Sequence, residues 1–114
     1  MSSKRDELVE KYARHIRERF GALPDIALLE NVAKGLGPAI YNRDASTVSG
    51  TDVREMETVK NNFLIKKLGL KESPELMEAI RKVMDTYGTS ERTKYRAVVY
   101  YMLTRHFQAE SVYS

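Results

Sequence analysis

The stretch from Thr58 to Leu70, TVKNNFLIKKLGL, constrains the chain more than any other, because it joins a helical apolar stripe to a helix stop. Val53, Met56, Val59, Phe63 and Leu64 recur at steps of three, three, four and one, on one face of a 3.6-residue period. That spacing predicts a helix opening near Thr51 and closing at Gly69, the residue type that most readily takes the left-handed conformation past a helix end. Lys66 and Lys67 then fall in the last turn, where cations meet the negative pole of the helix dipole. Asn61 and Asn62 are weak helix formers, and one of them is expected to bond to a neighbouring loop backbone.

Four further helices read from the same logic. Ser3, with Asp6 three residues later, opens a first helix over about Lys4 to Arg19, with Leu8, Tyr12, Ile16 and Phe20 inward. Glu7, Lys11, Arg14, Arg17 and Glu18 form its mixed-sign solvated face. Gly21 ends it. Pro24 is expected at the first position of a short second helix carrying Ile26, Leu28, Leu29, Val32 and Ala33, with Asp25 near its positive pole. Gly35-Leu36-Gly37-Pro38 should break that helix. A phosphate cradle in Lys34-Gly35-Leu36-Gly37 is a poor fit, since a nucleotide-binding glycine loop follows a strand rather than a helix.

The segment from Pro38 to Ser49 has no sustained period, and Ile40 and Tyr41 are expected to anchor it to the core. Irregular segments of this length are often functional, so Tyr41, Asn42 and Arg43 are the candidate ligand or partner loop. Ser73-Pro74 reads as cap and first position of a fourth helix that ends at Gly88. Ser90 is expected to cap a fifth, in which Ala97 to Leu103 is apolar nearly all round and should be the buried spine. Val112 and Tyr113 are expected to dock the tail. The expected fold is therefore all-α, a compact bundle of about five helices in one domain spanning 1–114.

Composition narrows the functional classes. No cysteine occurs among the 114 residues, which removes disulfides, thiolate metal sites and cysteine nucleophiles. The opening MSSKRDELVEKYARH lacks the apolar core of a signal peptide, and no apolar run approaches the ~20 residues of a membrane span. The expectation is a cytoplasmic protein with no membrane partner. Net charge is +3, with nine basic and ten acidic residues through position 59 and ten basic and six acidic beyond it. That mild basic bias permits contact with nucleic acid without requiring it.

The runs GLGPAIYN from Gly35, TVKNNFLIKKLGL from Thr58, SPELMEAI from Ser73 and SERTKYRAVVYYML from Ser90 together resemble a family of small bacterial proteins classed as a domain of unknown function. The resemblance covers essentially the whole chain. It implies a compact helical domain of bacterial origin and supplies no activity, substrate, cofactor or catalytic residue.

An enzyme requires a nucleophile, an acid or base, or a metal in cooperating geometry. The two histidines, His15 and His106, lie near the ends of different helices, with no HExxH, GxSxG or ExxH pattern beside them. His15 reads as a boundary residue of the first helix. Asp52, Glu55 and Glu57 stand where the dipole of the central helix favours acids. The chain is thus expected to be non-enzymatic, with no cofactor and no metal. Helix-turn-helix recognition is weakened by the two carboxylates in PELME at the start of the fourth helix. The candidate nucleic-acid contacts are instead Lys66, Lys67, Lys71, Arg92, Lys94 and Arg96. The preferred reading is an accessory or protein-interaction domain with a protein partner or a second copy, and nucleic-acid binding is the alternative. Tyr100 and Tyr101 are adjacent on one helix and cannot face the same way, so one of them is expected to be exposed at an interface.

Overall fold

In the computed structural model, which describes residues 3–113, the element order begins with α1 (Lys4–Phe20) and α2 (Ile26–Leu36), followed by a 3-10 turn (Gly37–Tyr41). Then come α3 (Val53–Thr58), continuing into a π-helical segment (Val59–Ile65), α4 (Pro74–Tyr87), α5 (Arg96–His106) and a terminal 3-10 turn (Glu110–Tyr113). The all-α expectation holds. The sole β-type pairing among the described residues is an isolated antiparallel bridge between Thr47 and Tyr95. No helix of the described residues is long and apolar enough to cross a membrane.

α5 occupies the centre. Ala97, Val98, Val99, Tyr100, Tyr101, Leu103 and Thr104 are all buried, and α1, α2 and α4 pack against it. Its single buried hydroxyl outside the tyrosines, on Thr104, donates back to the Tyr100 carbonyl at 2.7 Å, so that group is not orphaned. Around this spine, Val9, Tyr12, Ala13 and Ile16 of α1 and Leu28, Leu29, Val32 and Ala33 of α2 face inward. The radius of gyration, 13.1 Å, is that of one compact body of this length.

The first helix follows its sequence signals closely. Ser3 Oγ accepts from the Asp6 N–H, the Asp6 carboxylate accepts from the Ser3 N–H, and Gly21 closes the helix at φ 62. The start of α2 departs from expectation. Asp25 is the cap, its carboxylate accepting from the Leu28 N–H, and Pro24 lies outside the helix. The helix also runs through Gly35 and stops only at Gly37, where φ is 63. At α4, Pro74 is the first residue as expected, but the Ser73 side chain makes no capping bond.

The central segment contains the main surprise. After a short α-helical stretch capped by Asp52, the chain widens into a π-helix. Amides there reach back five residues, Lys66 N–H to Asn61 O and Leu68 N–H to Phe63 O. A turn of that width keeps residues four to five apart on one face, so Val59, Phe63, Leu64 and Leu68 are all buried. Phe63 stacks on Tyr100, centroids 3.8 Å apart and planes within 13°. Val53, expected on the stripe, is instead exposed, and neither Asn61 nor Asn62 makes a side-chain hydrogen bond among the described residues.

The fifth helix begins later than Ser90 would place it, with Tyr95 as the cap position. The backbone is extended at Tyr95, and its two neighbours pair with 46–48. The Val48 N–H donates to the Lys94 carbonyl at 2.9 Å, and the Arg96 N–H donates to the Ser46 carbonyl at 2.8 Å. The Arg96 guanidinium completes the clamp. It donates to the Ala45 carbonyl at 2.8 Å, the Thr47 carbonyl at 3.3 Å and the Glu55 carboxylate at 3.0 Å. One side chain thus ties the irregular 42–48 segment to α3 and α5.

Replacing Arg96 by Met should leave two carbonyls and a part-buried carboxylate without their donor and lower stability by about 2 kcal/mol or more. Arg96→Lys keeps the charge but not the planar fork, and should recover only part of that loss. Urea denaturation of the two variants checks both, and a midpoint for Arg96→Met equal to that of the unmutated chain would contradict the clamp.

Candidate interaction surface

A groove of about 540 Å³ lies between α1 and α2. Its apolar part is formed by Val9 and Ala13 of α1 and Ile26 of α2, and its walls carry charge. Asp6 and Glu10 lie toward the start of α1, Arg14 and Arg17 toward its end, with Glu30 opposite on α2. Among the described residues, Glu10, Arg14, Arg17 and Glu30 have no ion-pair partner, while Asp6 is held by the capping box. At the corner joining the two helices, Leu23 is 89% exposed, the most exposed large apolar side chain of the described residues, and Ile26 beside it is 41% exposed.

These side chains are where they are for local reasons. Positions 6, 10, 14 and 17 recur at steps of four, four and three, so they share one edge of a helix whose other face carries Tyr12 and Ile16 into the core. Leu23 stands out because Gly21 turns the chain and Asp25 must reach Tyr101: the Asp25 N–H donates to the Tyr101 hydroxyl at 2.7 Å. Between them Leu23 is left facing water, while Ala22 packs partly against the core. Arg14 and Arg17 belong to the surface that the sequence assigns to solvent, and Ile26 to the apolar face of α2. What could have marked the groove is the order of sign along this one edge of α1, Asp6 and Glu10 before Arg14 and Arg17, although Lys4, Arg5 and Glu18 break that order elsewhere on the helix.

The candidate residues read from sequence are not gathered into one site. Tyr41 is half exposed, with Lys4 6.0 Å from its ring centroid, and Ile40 is the buried anchor of that turn. The Asn42 side-chain oxygen accepts from the N–H groups of Asp44 and Ala45, and the Arg43 carbonyl accepts from Ser46, so the 41–43 loop is a turn satisfied from within. Of the proposed phosphate contacts, Lys94 is buried with its ammonium on the Glu91 carbonyl, and Arg96 is held by the clamp. Lys67 lies 5.2 Å from the ring centroid of Tyr113; Lys66, Lys71 and Arg92 are exposed. The expected exposed tyrosine is absent from its place, because Tyr100 and Tyr101 are both buried. α5 is enclosed on opposite sides, by Phe63 stacked on Tyr100 and by the Asp25 corner on Tyr101. At the tail, Tyr113 packs on the core and its carbonyl accepts from the Asn31 amide, while Val112 is exposed.

His15 is a boundary residue with specific partners. The Tyr87 hydroxyl accepts the Tyr95 N–H at 3.2 Å and is therefore free to donate its own proton to His15 Nδ1. The other ring nitrogen, Nε2, lies 3.8 Å from a Glu91 carboxylate oxygen, whose partner oxygen is held by Arg19 at 3.0 Å. Burial holds the His15 pKa below its ordinary value, against the pull of the Glu91 charge. Burial likewise raises the Tyr87 hydroxyl and pushes those of Tyr12 and Tyr113 up to about 12. His106 lies at the end of α5 beside Phe107 and does not join this cluster.

Fold and surface together define a small all-α domain organised on one enclosed helix, with a charge-divided groove on its outside. Residues 11–111 match the family of proteins of unknown function DUF2853, and the chain belongs to that family. No curated protein matches the chain.

The His15 cluster carries a pH signature. An unfolded histidine titrates at ~6.5, and the folded one below that, so protonation favours the unfolded chain. The stabilisation is complete above the unfolded value and is lost as pH falls through it toward the folded one. Urea midpoints should therefore drop between neutral and mildly acid pH, with a slope of at most about 1.4 kcal/mol per pH unit for one proton. His15→Gln should flatten that part of the profile; an unchanged slope in the variant would assign it elsewhere.

Proposed function

We propose that this chain is a non-enzymatic interaction domain, working in the cytoplasm, whose partner at the α1–α2 groove is a second copy of itself. The observation that carries the reading is the order of charge along the groove edge of α1. Acids at 6 and 10 and bases at 14 and 17 are centred about 11 Å apart along the axis, at ~1.5 Å per residue. Turning a second α1 antiparallel about a two-fold axis at the level of Lys11 and Tyr12 sets Asp6 against the partner's Arg17 and Glu10 against the partner's Arg14. Each contact then occurs twice, as a closed isologous pair demands. Parallel pairing would set like charges together.

Apolar contact supports the same partner. Val9 and Ala13 are already buried within the single chain, while Leu23 and Ile26 offer exposed apolar surface at the corner. Burying them in a pair removes from water side chains that the single chain leaves wet. The ion pairs would supply orientation more than affinity. The non-enzymatic half of the reading rests on His15, whose two ring nitrogens are already engaged inside the chain by Tyr87 and Glu91.

Sedimentation across a concentration series tests the pairing directly. The expected outcome is a reversible dimer that weakens with added salt, since screening shortens from ~10 Å at 0.1 M to ~3 Å at 1 M ionic strength. Glu10→Arg and Arg14→Glu should each weaken it about tenfold, ~1.4 kcal/mol, and the double exchange Glu10→Arg/Arg14→Glu should restore it. A monomer throughout the series, or single reversals without effect, would overturn the proposal.

A further inference from the structure

The geometry points to a second binding site, for a small amphiphilic anion, in the pocket between the C-terminal parts of α1, α4 and α5. The pocket has a volume of about 330 Å³, at the small end of ligand sites. It shares no lining residue with the α1–α2 groove. Its apolar wall is Phe20 of α1, Val83 of α4 and Met102 of α5, the first and last part-buried and Val83 buried. Its rim carries Lys82 from α4 and Arg105 and His106 from α5, and no carboxylate lines it.

Helix ends account for some of this charge but not all of it. Arg105 and His106 stand in the last turn of α5, where positive charge complements the helix dipole without any ligand. Lys82 does not share that reason, because it lies before the last turn of α4 and reaches the same rim from the opposite wall. Neither Lys82 nor His106 has an ion-pair partner among the described residues. Arg105 is held only loosely, 4.0 Å from a carboxylate oxygen of Asp25 whose other oxygen already caps α2. Three donors from two helices therefore meet over an apolar wall, and the 4.0 Å contact of Arg105 with Asp25 is the one ion pair any of them makes among the described residues.

The arrangement selects both halves of a ligand. One anionic head, a carboxylate or sulfonate, would sit among Lys82, Arg105 and His106, with Thr86 offering a hydroxyl at the same rim. An apolar body would cover Phe20, Val83 and Met102. Beyond Lys82 and His106 the surface continues into a second depression walled by Glu75 and Glu78, whose charge repels a second anionic group. The class is accordingly a monoanion with a short aliphatic or aromatic body, rather than a polyanion.

A titration of the isotope-labelled protein with octanoate, followed by amide and methyl NMR shifts, tests the site, with 1-octanol and acetate as half-ligands. Saturable shifts at Val83, Thr86, Met102 and Arg105 are expected with octanoate, at least about tenfold weaker binding with octanol, and none with acetate. Lys82→Glu and Arg105→Glu should each weaken octanoate binding severalfold with the spectrum otherwise preserved, Met102→Trp should block it by filling the pocket, and Lys66→Glu should change nothing. Equal affinity for octanoate and octanol, shifts confined to other surfaces, or binding untouched by both charge reversals would overturn the assignment.

Discussion

The fold depends on the enclosure of α5. A helix that is apolar nearly all round cannot be satisfied by one neighbour, so Ala97–Leu103 requires cover on every side before any of the structure is stable. α1, α2, α4 and the π-helical segment each supply one side of that cover. The helices that do so are amphipathic and of ordinary length, and most of their stability comes from this packing rather than from intrinsic propensity. The outer elements are consequently positioned by one central template, and the surface features between them inherit that placement.

Enclosing tyrosines in the core raises the problem of their hydroxyls, and the chain answers it with both backbone and side-chain donors. Tyr101 accepts the Asp25 amide at the start of α2, and Tyr87 accepts the Tyr95 amide at the start of α5. Tyr100 accepts from the Arg96 side chain at 3.2 Å. Tyr101 and Tyr87 thus each fix the entry of another element, and every buried side-chain nitrogen and oxygen in the described residues has a partner. Tyrosine here works as an internal anchor, and the proposed interaction surface lies elsewhere, on charged helix edges and at the Leu23 corner.

The two surfaces differ in kind. Along the groove edge of α1 both signs are present in order, a pattern that a copy of the same chain can answer. At the ends of α4 and α5 one sign gathers over apolar side chains, a pattern that a small anion can answer. Both are built on helices locked by the core rather than on the 38–49 segment, where the Asn42 side-chain oxygen and the Ala45 carbonyl are already engaged within the chain.

By itself the sequence determined whatever depends on near neighbours. The capping box at Ser3 and Asp6, the stop at Gly21, Pro74 at the head of α4 and the uniform apolarity of Ala97–Leu103 are all local patterns, and all appear as read. Tertiary structure decided what depends on partners distant along the chain. The π-helical turn lets Phe63 reach Tyr100 while Val59 and Leu68 stay inside, a requirement invisible in a 3.6-residue periodicity. The late start of α5, the burial of Lys94 and the use of Arg96 follow from pairing with 46–48, about fifty residues away in sequence, which no local propensity encodes. The α1–α2 groove was half legible: the order of charge along one edge of α1 stands in the sequence, but only the packing of Asp25 on Tyr101 leaves Leu23 and Ile26 in water beside it.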